Sequence, residues 1–455
     1  MLKKNNFDIF FYFFPLLIFA FIVGQAAISF VFVLFTFVFI ARFKKITFFS
    51  EKQDYFLIFF VSILILSSVW NYYNEQKNIK TIFSSILFLK FLIPYFLLRS
   101  IQIDNNFYIH LKKILIISSL ALIFVVVDIF FQYNDPNKID LLGYKSTLDN
   151  INRLTGPFGN NEGIPGSFLL KVCFVVLVFL AFYLSRNFFT SRKYLFYSIF
   201  LTFLILYITS ILITGERMSF LSALLVVFIF LVLLFKFRSI PFIFIIFAIL
   251  LTIFLNLKNP YVQQRYEILA KFLFSKNYLS ANTLENSKNN LNNKNSINFF
   301  NTQWGAHFIT SIEIFKDKPV IGSGIKGFRN DCSKEKYEDI KSLSSFKRCS
   351  THPHNIYLEI LSETGLSGFI SLIIFFIYII LRNFRNIIRL NFKNLKSNEK
   401  IILTIYIASF SVLLSILWPI RSSGSFFSNL NGSMIWINIY WLLLIERYFK
   451  KNNMI

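Results

Sequence analysis

Two histidines stand two residues apart in Cys349-Ser-Thr-His-Pro-His-Asn-Ile-Tyr-Leu-Glu-Ile-Leu-Ser-Glu-Thr-Gly-Leu-Ser-Gly368, where a polar approach runs into an apolar helix. An imidazole with its usual pKa near ~6.5 is suited to taking a proton from a hydroxyl at neutral pH, a contribution of roughly 10² to 10⁴ in rate. His354 is the candidate for that work. Read as one helix from His354 at roughly 100° per residue, Leu358, Leu361, Gly365 and Gly368 share its stripe. The two glycines would let a neighbouring helix approach closely beneath the imidazole. Alternatively, Gly365 ends a short helix after Glu363-Thr364, and a span starts afresh at Leu366. The bland reading of His354 is a helix-start histidine bonding backbone or a carboxylate. His352 and Asn355 are candidates to bind a diphosphate or substrate, with His352 the weaker because Pro353 could turn it away, and Glu359, about 140° round such a helix, is no obvious partner.

A second kind of chemistry needs fixed cations. Arg217 interrupts an apolar hairpin at Ile-Thr-Gly-Glu-Arg-Met-Ser, either neutralised by Glu216 or free to hold an anion. Arg265 and Arg329 stand behind it as further clamps for a charged leaving group. Gly322-Ser-Gly324 is a turn, or a weak phosphate cradle. Lys90, Lys171 and Asp128 lie within apolar blocks, where a charge is expected to face a partner or a wet cavity, and Asp128 is a candidate partner for either lysine. Arg153, Asn161 and Glu162 precede another block and are candidates to line the same cavity. No metal site is expected, since histidines are few and no second cysteine pair exists.

The elements that position these residues follow from composition. The chain has 455 residues, 55% hydrophobic and 19% aromatic, with a net charge of +24, and its mean hydropathy is +0.59. Apolar blocks run about 8–23, 25–41, 55–72, 80–98, 114–134, 164–185, 194–214, 220–235, 240–257, 361–381, 401–419 and 433–445. That pattern reads as an all-α polytopic membrane protein of about twelve spans. Basic loops fix orientation in such proteins, so the net charge does not call for nucleic acid. Lys and Arg concentrate in one alternate set of connections, including both ends and 382–400, which places both termini in the cytoplasm. Lys3 and Lys4 lead into the first block with no cleavage-site pattern, so no signal peptide is expected.

Three parts follow: spans one to nine in 1–257, a large external loop in 258–360 ending at the histidines, and spans ten to twelve in 361–455. In the loop, 259–278 has amphipathic character and 280–301 reads as a flexible polar stretch. Trp304, Phe308, Ile312 and Phe315 recur at helical spacing, as in a surface helix lying on the membrane or the bundle. Cys173 falls in an apolar block as packing. Cys332 and Cys349 share the external loop, as a disulfide pinning the chain before the histidines or as two unpaired thiols.

His354-Asn355, nine residues, then Gly365-x-x-Gly368 resembles the H-[NSQ]-x9-G-x-x-[GTY] signature of bacterial O-antigen ligases and the related O-antigen polymerases. The span plan, the external loop ahead of the motif, Arg217 at the outer junction of spans seven and eight, and Pro319-x-x-Gly322-x-Gly324 with Phe328-Arg329 are similar as well. The resemblance is residue-specific from about 302 to 368 and near Arg217. It implies a metal-independent, cofactor-free glycosyltransferase at the periplasmic face of the inner membrane. Its donor would be a glycan on undecaprenyl diphosphate, and its acceptor a hydroxyl of lipid A-core for a ligase, or of another lipid-linked glycan for a polymerase. Membrane lipids would be its other partners, and nucleic acid none. A transporter or lipid flippase, with Lys90, Lys171 and Asp128 as pathway residues, is the reading from another class, disfavoured because no inverted repeat is evident.

Overall fold

The computed structural model describes residues 12–75, 79–101, 103, 106–145, 153–159, 164–184, 193–235, 266, 299–340, 342 and 344–455. Arg265, Asn161, Glu162 and the apolar block at 240–257 lie outside them. Among the described residues the chain is helical, with one isolated bridge between Ile139 and Lys145 and no strand. This is the expected solution for apolar sequence in hydrocarbon, where a helix satisfies every backbone group within its own segment.

The helices are α1 (Phe13–Val23), α2 (Gln25–Arg42), α3 (Lys52–Glu75), α4 (Lys80–Leu87), α5 (Leu92–Leu97), α6 (Phe107–Asn134), α7 (Pro165–Phe168), α8 (Phe174–Leu184), α9 (Lys193–Ile213), α10 (Arg217–Phe235), α11 (Gln303–Asp317), α12 (Gly327–Asp331), α13 (Ile356–Arg389), α14 (Ser397–Ile416) and α15 (Asn429–Lys451). Eight helical segments among the described residues are long and apolar enough to cross a membrane, and α1 and Ser198–Ile213 are shorter apolar helices. The last apolar block, at 433–445, falls in α15, which is not among the eight. It is buried without interruption from Gly432 to Glu446. Its Trp436 stacks on Phe91 at 6.0 Å and its Trp441 meets Phe14 at 4.7 Å, tying both ends of the chain into one core.

The first turn of α15 also explains the intramembrane lysines. Lys90, in the 3-10 turn Phe88–Phe91 between α4 and α5, donates to Asn429 Oδ1 at 2.7 Å and lies 5.1 Å from the Phe91 ring. Lys171, in the π-turn Leu169–Cys173 between α7 and α8, is buried and donates to Asn431 Oδ1. Two lysines thus bond two asparagines two residues apart, and neither pairs with Asp128. The expected Asp128–lysine pairing is corrected: Asp128 Oδ1 accepts from the Leu141 amide at 2.8 Å, closing the turn after α6. Amide oxygens satisfy the ammonium groups without burying a second charge, which avoids the larger desolvation cost of an ion pair. Cys173 is buried in the core, in keeping with packing.

Candidate functional site: a histidine cluster at the start of α13

The helix that follows the histidines starts later than the single-stripe reading requires. Asn355 is the N-cap of α13, its Oδ1 accepting from the amides of Tyr357 at 3.0 Å and Leu358 at 3.2 Å. His354 precedes the cap with φ +58°, a left-handed conformation that a side chain larger than glycine adopts at a cost and that recurs at functional sites. The stripe from His354 to Gly368 is therefore broken at its top. It is broken again at Gly365, where φ +65° and ψ −170° interrupt the helix and separate a short segment, 356–364, from the longer span beyond.

That interruption is where the glycine-rich turn docks. The Ser323 amide donates to Ser362 O and the Gly324 amide to Glu363 O, both at 2.9 Å, while the Leu366 amide donates to Pro319 O at 2.8 Å. A Cβ on Gly322 would stand 2.4 Å from Glu363 C, and one on Gly365 would stand 2.4 Å from Val320 C. Gly322 and Gly365 thus let two backbones pair edge to edge, a demand only glycine meets. Gly322-x-Gly324 serves as a structural turn, with the Gly322 amide spent on Lys318 O and the next two on α13. Gly368 faces α3, with Ile63 3.4 Å from the position a Cβ would take. The carboxylate of Glu363 closes the arrangement by accepting from the Lys326 amide at 2.8 Å.

Of the two placements open to the apolar row of α11, the exposure of Trp304 and Ile312 leaves that row on the outside, and another face turns into the protein. Trp304 and Ile312 are exposed, while Ala306, His307, Thr310, Ser311 and Ile314 are buried. Ser311 Oγ donates to Leu358 O at 2.9 Å, joining α11 to the first turns of α13. Ile314, Phe328, Cys332 and Tyr337 form a separate small core beside it. Cys332 and Cys349 are joined as a disulfide with Cα atoms 5.2 Å apart.

These elements gather three imidazoles. The His354 ring lies 4.2 Å from that of His352, 5.3 Å from that of His307, and 4.7 Å from the edge-on Trp304 ring, centroid to centroid. His352 joins the cluster rather than turning away. Its Nε2 donates to the Ser423 carbonyl at 3.1 Å, which leaves Nδ1 to accept from Thr351 Oγ1 at 2.9 Å. His354 Nε2 lies 3.1 Å from Ser350 Oγ. Both ring nitrogens of His307 are buried, facing the backbone of Lys347 and Cys349. Burial, followed by the neighbouring His352 and His307, pulls the His354 pKa down to about 3. Burial is also the first cause lowering His352 and His307. The cluster is thus held neutral, with burial disfavouring the protonated rings. Among the described residues no group of His, Cys, Asp or Glu could hold a metal ion.

A loop between α14 and α15 is zipped onto this stretch. The Ser423 amide donates to His354 O at 2.8 Å, Asn355 Nδ2 to Pro419 O at 2.8 Å, and Tyr357 Oη to Leu417 O. Glu359, expected to stand apart, is the anchor for the far end of the loop: its carboxylate accepts from Ser425 Oγ and from the Phe426 amide at 2.7 Å.

The cations fall in two groups. Arg329 is exposed on α12 and acts electrostatically on both His352 and Glu359, so it belongs to the histidine cluster. Arg217 begins α10 and is partly buried, with Arg153 within electrostatic reach. Glu216 does not simply neutralise Arg217. It accepts from the Gly166 amide at 2.7 Å, the Ser167 amide at 3.0 Å and Ser219 Oγ at 2.8 Å, capping the start of α7. Burial pushes the Glu216 carboxyl up, and Arg153 is the first influence holding it back.

Sequence reasoning passed over two members of the site. Arg421 is buried, its Nε and Nη1 have no hydrogen-bond partner among the described residues, and its pKa is pulled to about 10 by burial, so it keeps its charge at neutral pH. It feels Glu216 on one side and sits two residues from Ser423 on the other, linking the Arg217 turn to the histidines. Its signal was its position in a connection otherwise poor in positive charge, the same feature that marked Arg217. His307 carried only the hint of a polar residue inside an apolar row. Lys171 lies within electrostatic reach of Arg421 and Glu216 and its partner Asn431 bonds Gly424 O and Ser425 O in the zipped loop, whereas Lys90 feels Lys326 and Asp128 bonds the turn after α6.

No curated protein matches the chain. Residues 201–373 match the O-antigen ligase family model, a segment containing Arg217, Arg329, the three clustered histidines, Asn355, Gly365 and Gly368. With several membrane-length apolar helices alongside it, the match supports membership of the O-antigen ligase superfamily for this chain.

Proposed function

We propose that this protein is an O-antigen ligase-type glycosyltransferase that moves a glycan from undecaprenyl diphosphate to a hydroxyl of lipid A-core. The family supports a membrane enzyme of lipid-linked glycans, ligase or polymerase. The observation that supports a transfer to a hydroxyl is His354, held neutral in a left-handed backbone conformation between Trp304, His307 and His352; ligase and polymerase share that chemistry, and the choice of ligase rests on the description of the matched family. A neutral imidazole can take the proton of an attacking hydroxyl. The hydroxyl oxygen forms its bond to the anomeric carbon, the bond from that carbon to the diphosphate oxygen breaks, and the electron pair leaves on the diphosphate. Arg329 and Arg421 supply positive charge for that leaving group, with Arg217 beyond Glu216. A diphosphate bound here also lifts the basicity of His354, since an anion nearby favours the charged imidazolium.

The site would face the periplasm, with both termini cytoplasmic and the insert from 258 to 360 as the external domain. Reconstitution with a lipid-linked glycan and two alternative acceptors tests the assignment, scored for product and for release of carrier diphosphate. Product on lipid A-core is expected, and His354→Ala should abolish it while the protein still accumulates in membranes. Undiminished transfer by that variant refutes the catalytic role, and product on a second lipid-linked glycan alone reassigns the enzyme as a polymerase.

A further inference from the structure

A cavity of about 680 Å³ opens at the other end of the bundle, away from the histidines. Its walls come from the start of α3, the turn after α5, the distal part of α13 and the last turns of α15. From Leu366 to Arg382, α13 rises about 24 Å, close to the thickness of a hydrocarbon core. The cavity is therefore not part of the histidine site.

Five cations line it, Arg99, Arg382, Arg447, Lys450 and Lys451. Three of them have carboxylate partners. Arg99 pairs with Asp54, Arg382 reaches Glu51 at 2.7 Å and Glu446 at 2.5 Å, and Lys450 reaches Glu446 at 3.1 Å. Among the described residues the other two donate to backbone carbonyls: Arg447 Nη2 to Arg99 O at 3.1 Å, and Lys451 Nζ to Ile103 O. Arg447 Nη1 and Arg382 Nε are buried with no hydrogen-bond partner among those residues. Leaving such donors unsatisfied is costly, more so for charged groups, so a ligand that accepts from them is favoured. Leu98, Ile101, Ile103 and Leu443 complete the wall. The cavity thus presents surplus positive charge and orphaned N–H groups beside an apolar surface.

We propose that this cavity binds a phosphate ester, and that the ester is the headgroup of an anionic membrane lipid. Basic pockets between membrane helices hold such headgroups, with the guanidinium groups on phosphate oxygens and apolar side chains along the acyl chains. The inference does not depend on the reaction at His354.

The test uses the full chain, delipidated in detergent, with the thermal unfolding midpoint read after adding phosphatidylglycerol, phosphatidylcholine or inorganic phosphate. Phosphatidylglycerol is expected to raise the midpoint relative to phosphatidylcholine, and millimolar phosphate to leave it unchanged. In Arg447→Gln/Lys451→Gln the phosphatidylglycerol shift should vanish, with apparent affinity falling roughly fivefold per cation removed, while the midpoint in phosphatidylcholine stays at the wild-type value. An equal, cation-dependent shift with inorganic phosphate keeps the phosphate site but overturns the lipid source. No shift with either ligand, or a shift that survives in the double variant, overturns the proposal. Should the double variant fail to fold, Lys451→Gln and native mass spectrometry of lipid retained by the wild type decide it. Equal retention of phosphatidylglycerol and phosphatidylcholine by the wild type counts against the site.

Discussion

Replacing Gly365 by alanine tests whether the break in α13 is required or merely tolerated. Two costs add. At φ +65° and ψ −170° the residue occupies a region nearly closed to L side chains, and holding alanine there costs about 1–3 kcal/mol. The new methyl would also lie 2.4 Å from both C and O of Val320, backbone atoms that no side-chain rotation can move aside. Forcing that separation open costs about another 1–3 kcal/mol. The sum is about 2–6 kcal/mol, a large part of the stability of a typical domain. Gly143 supplies the control: its φ is +84°, yet nothing lies within 4 Å of its would-be Cβ, so Gly143→Ala carries the backbone cost alone. Unfolding midpoints of the purified proteins should fall in the order wild type, Gly143→Ala, Gly365→Ala. Glycan transfer should fall further in Gly365→Ala than its midpoint implies, because the displaced turn carries Arg329 with it. A Gly365→Ala protein as stable as Gly143→Ala would refute the edge-to-edge docking of 319–324 on α13.

Three further outcomes follow from the same geometry. With His354 pulled down to about 3 and His352 and His307 also lowered, the unfolded chain binds more protons between about pH 3 and 6.5. Stability should then be level above about pH 6.5 and decline as pH falls toward 3, with a shallower decline in His354→Gln; identical profiles would count against the neutral cluster. The bridge between Cys332 and Cys349 closes a separation of 17 residues, worth roughly 3 kcal/mol in the chain-entropy model; reductant should lower the midpoint of the wild type but not of Cys332→Ser/Cys349→Ser. Asn355→Ala should lose about 0.5–2 kcal/mol as a cap, and Asn355→Asp should restore the cap but not the bond to Pro419, so a rescue of stability without a rescue of transfer separates the two functions of this side chain.

The apolar blocks were legible because hydrocarbon enforces helices, and their limits agree with α2, α6 and α14 to within several residues. The histidine stretch was legible as a location but not as a conformation. Asn before an apolar run is a cap signal, and it marked the helix start at Ile356. Reading His354 into the helix ignored that signal. The break at Gly365 could be suspected from its neighbours, but its cause, the Val320 backbone, lies far away in sequence. The same holds for the lysine partners. That Lys90 and Lys171 need acceptors follows from their place in a span, whereas the choice of Asn429 and Asn431 over Asp128 depends on how α15 threads the core. His307 was hidden because the apolar row drew attention to the face of α11 that is exposed; the buried side is the one that hydrogen-bonds α13.

The loop zipped onto the histidines sets a timetable for the site. His352 waits for an acceptor 71 residues later in the chain, and at roughly 5–20 residues per second that carbonyl is synthesised about 4–14 s after the imidazole. Until α14 is in place and its following loop has emerged, the histidine stretch has neither Ser423 nor Pro419 to bond, and Glu359 lacks the donors that satisfy it. The segment matched by the family ends at residue 373, well before any of these partners. A chain truncated there would contain the signature and lack the means to set it, so the site matures only when the last hairpin of the nascent protein inserts.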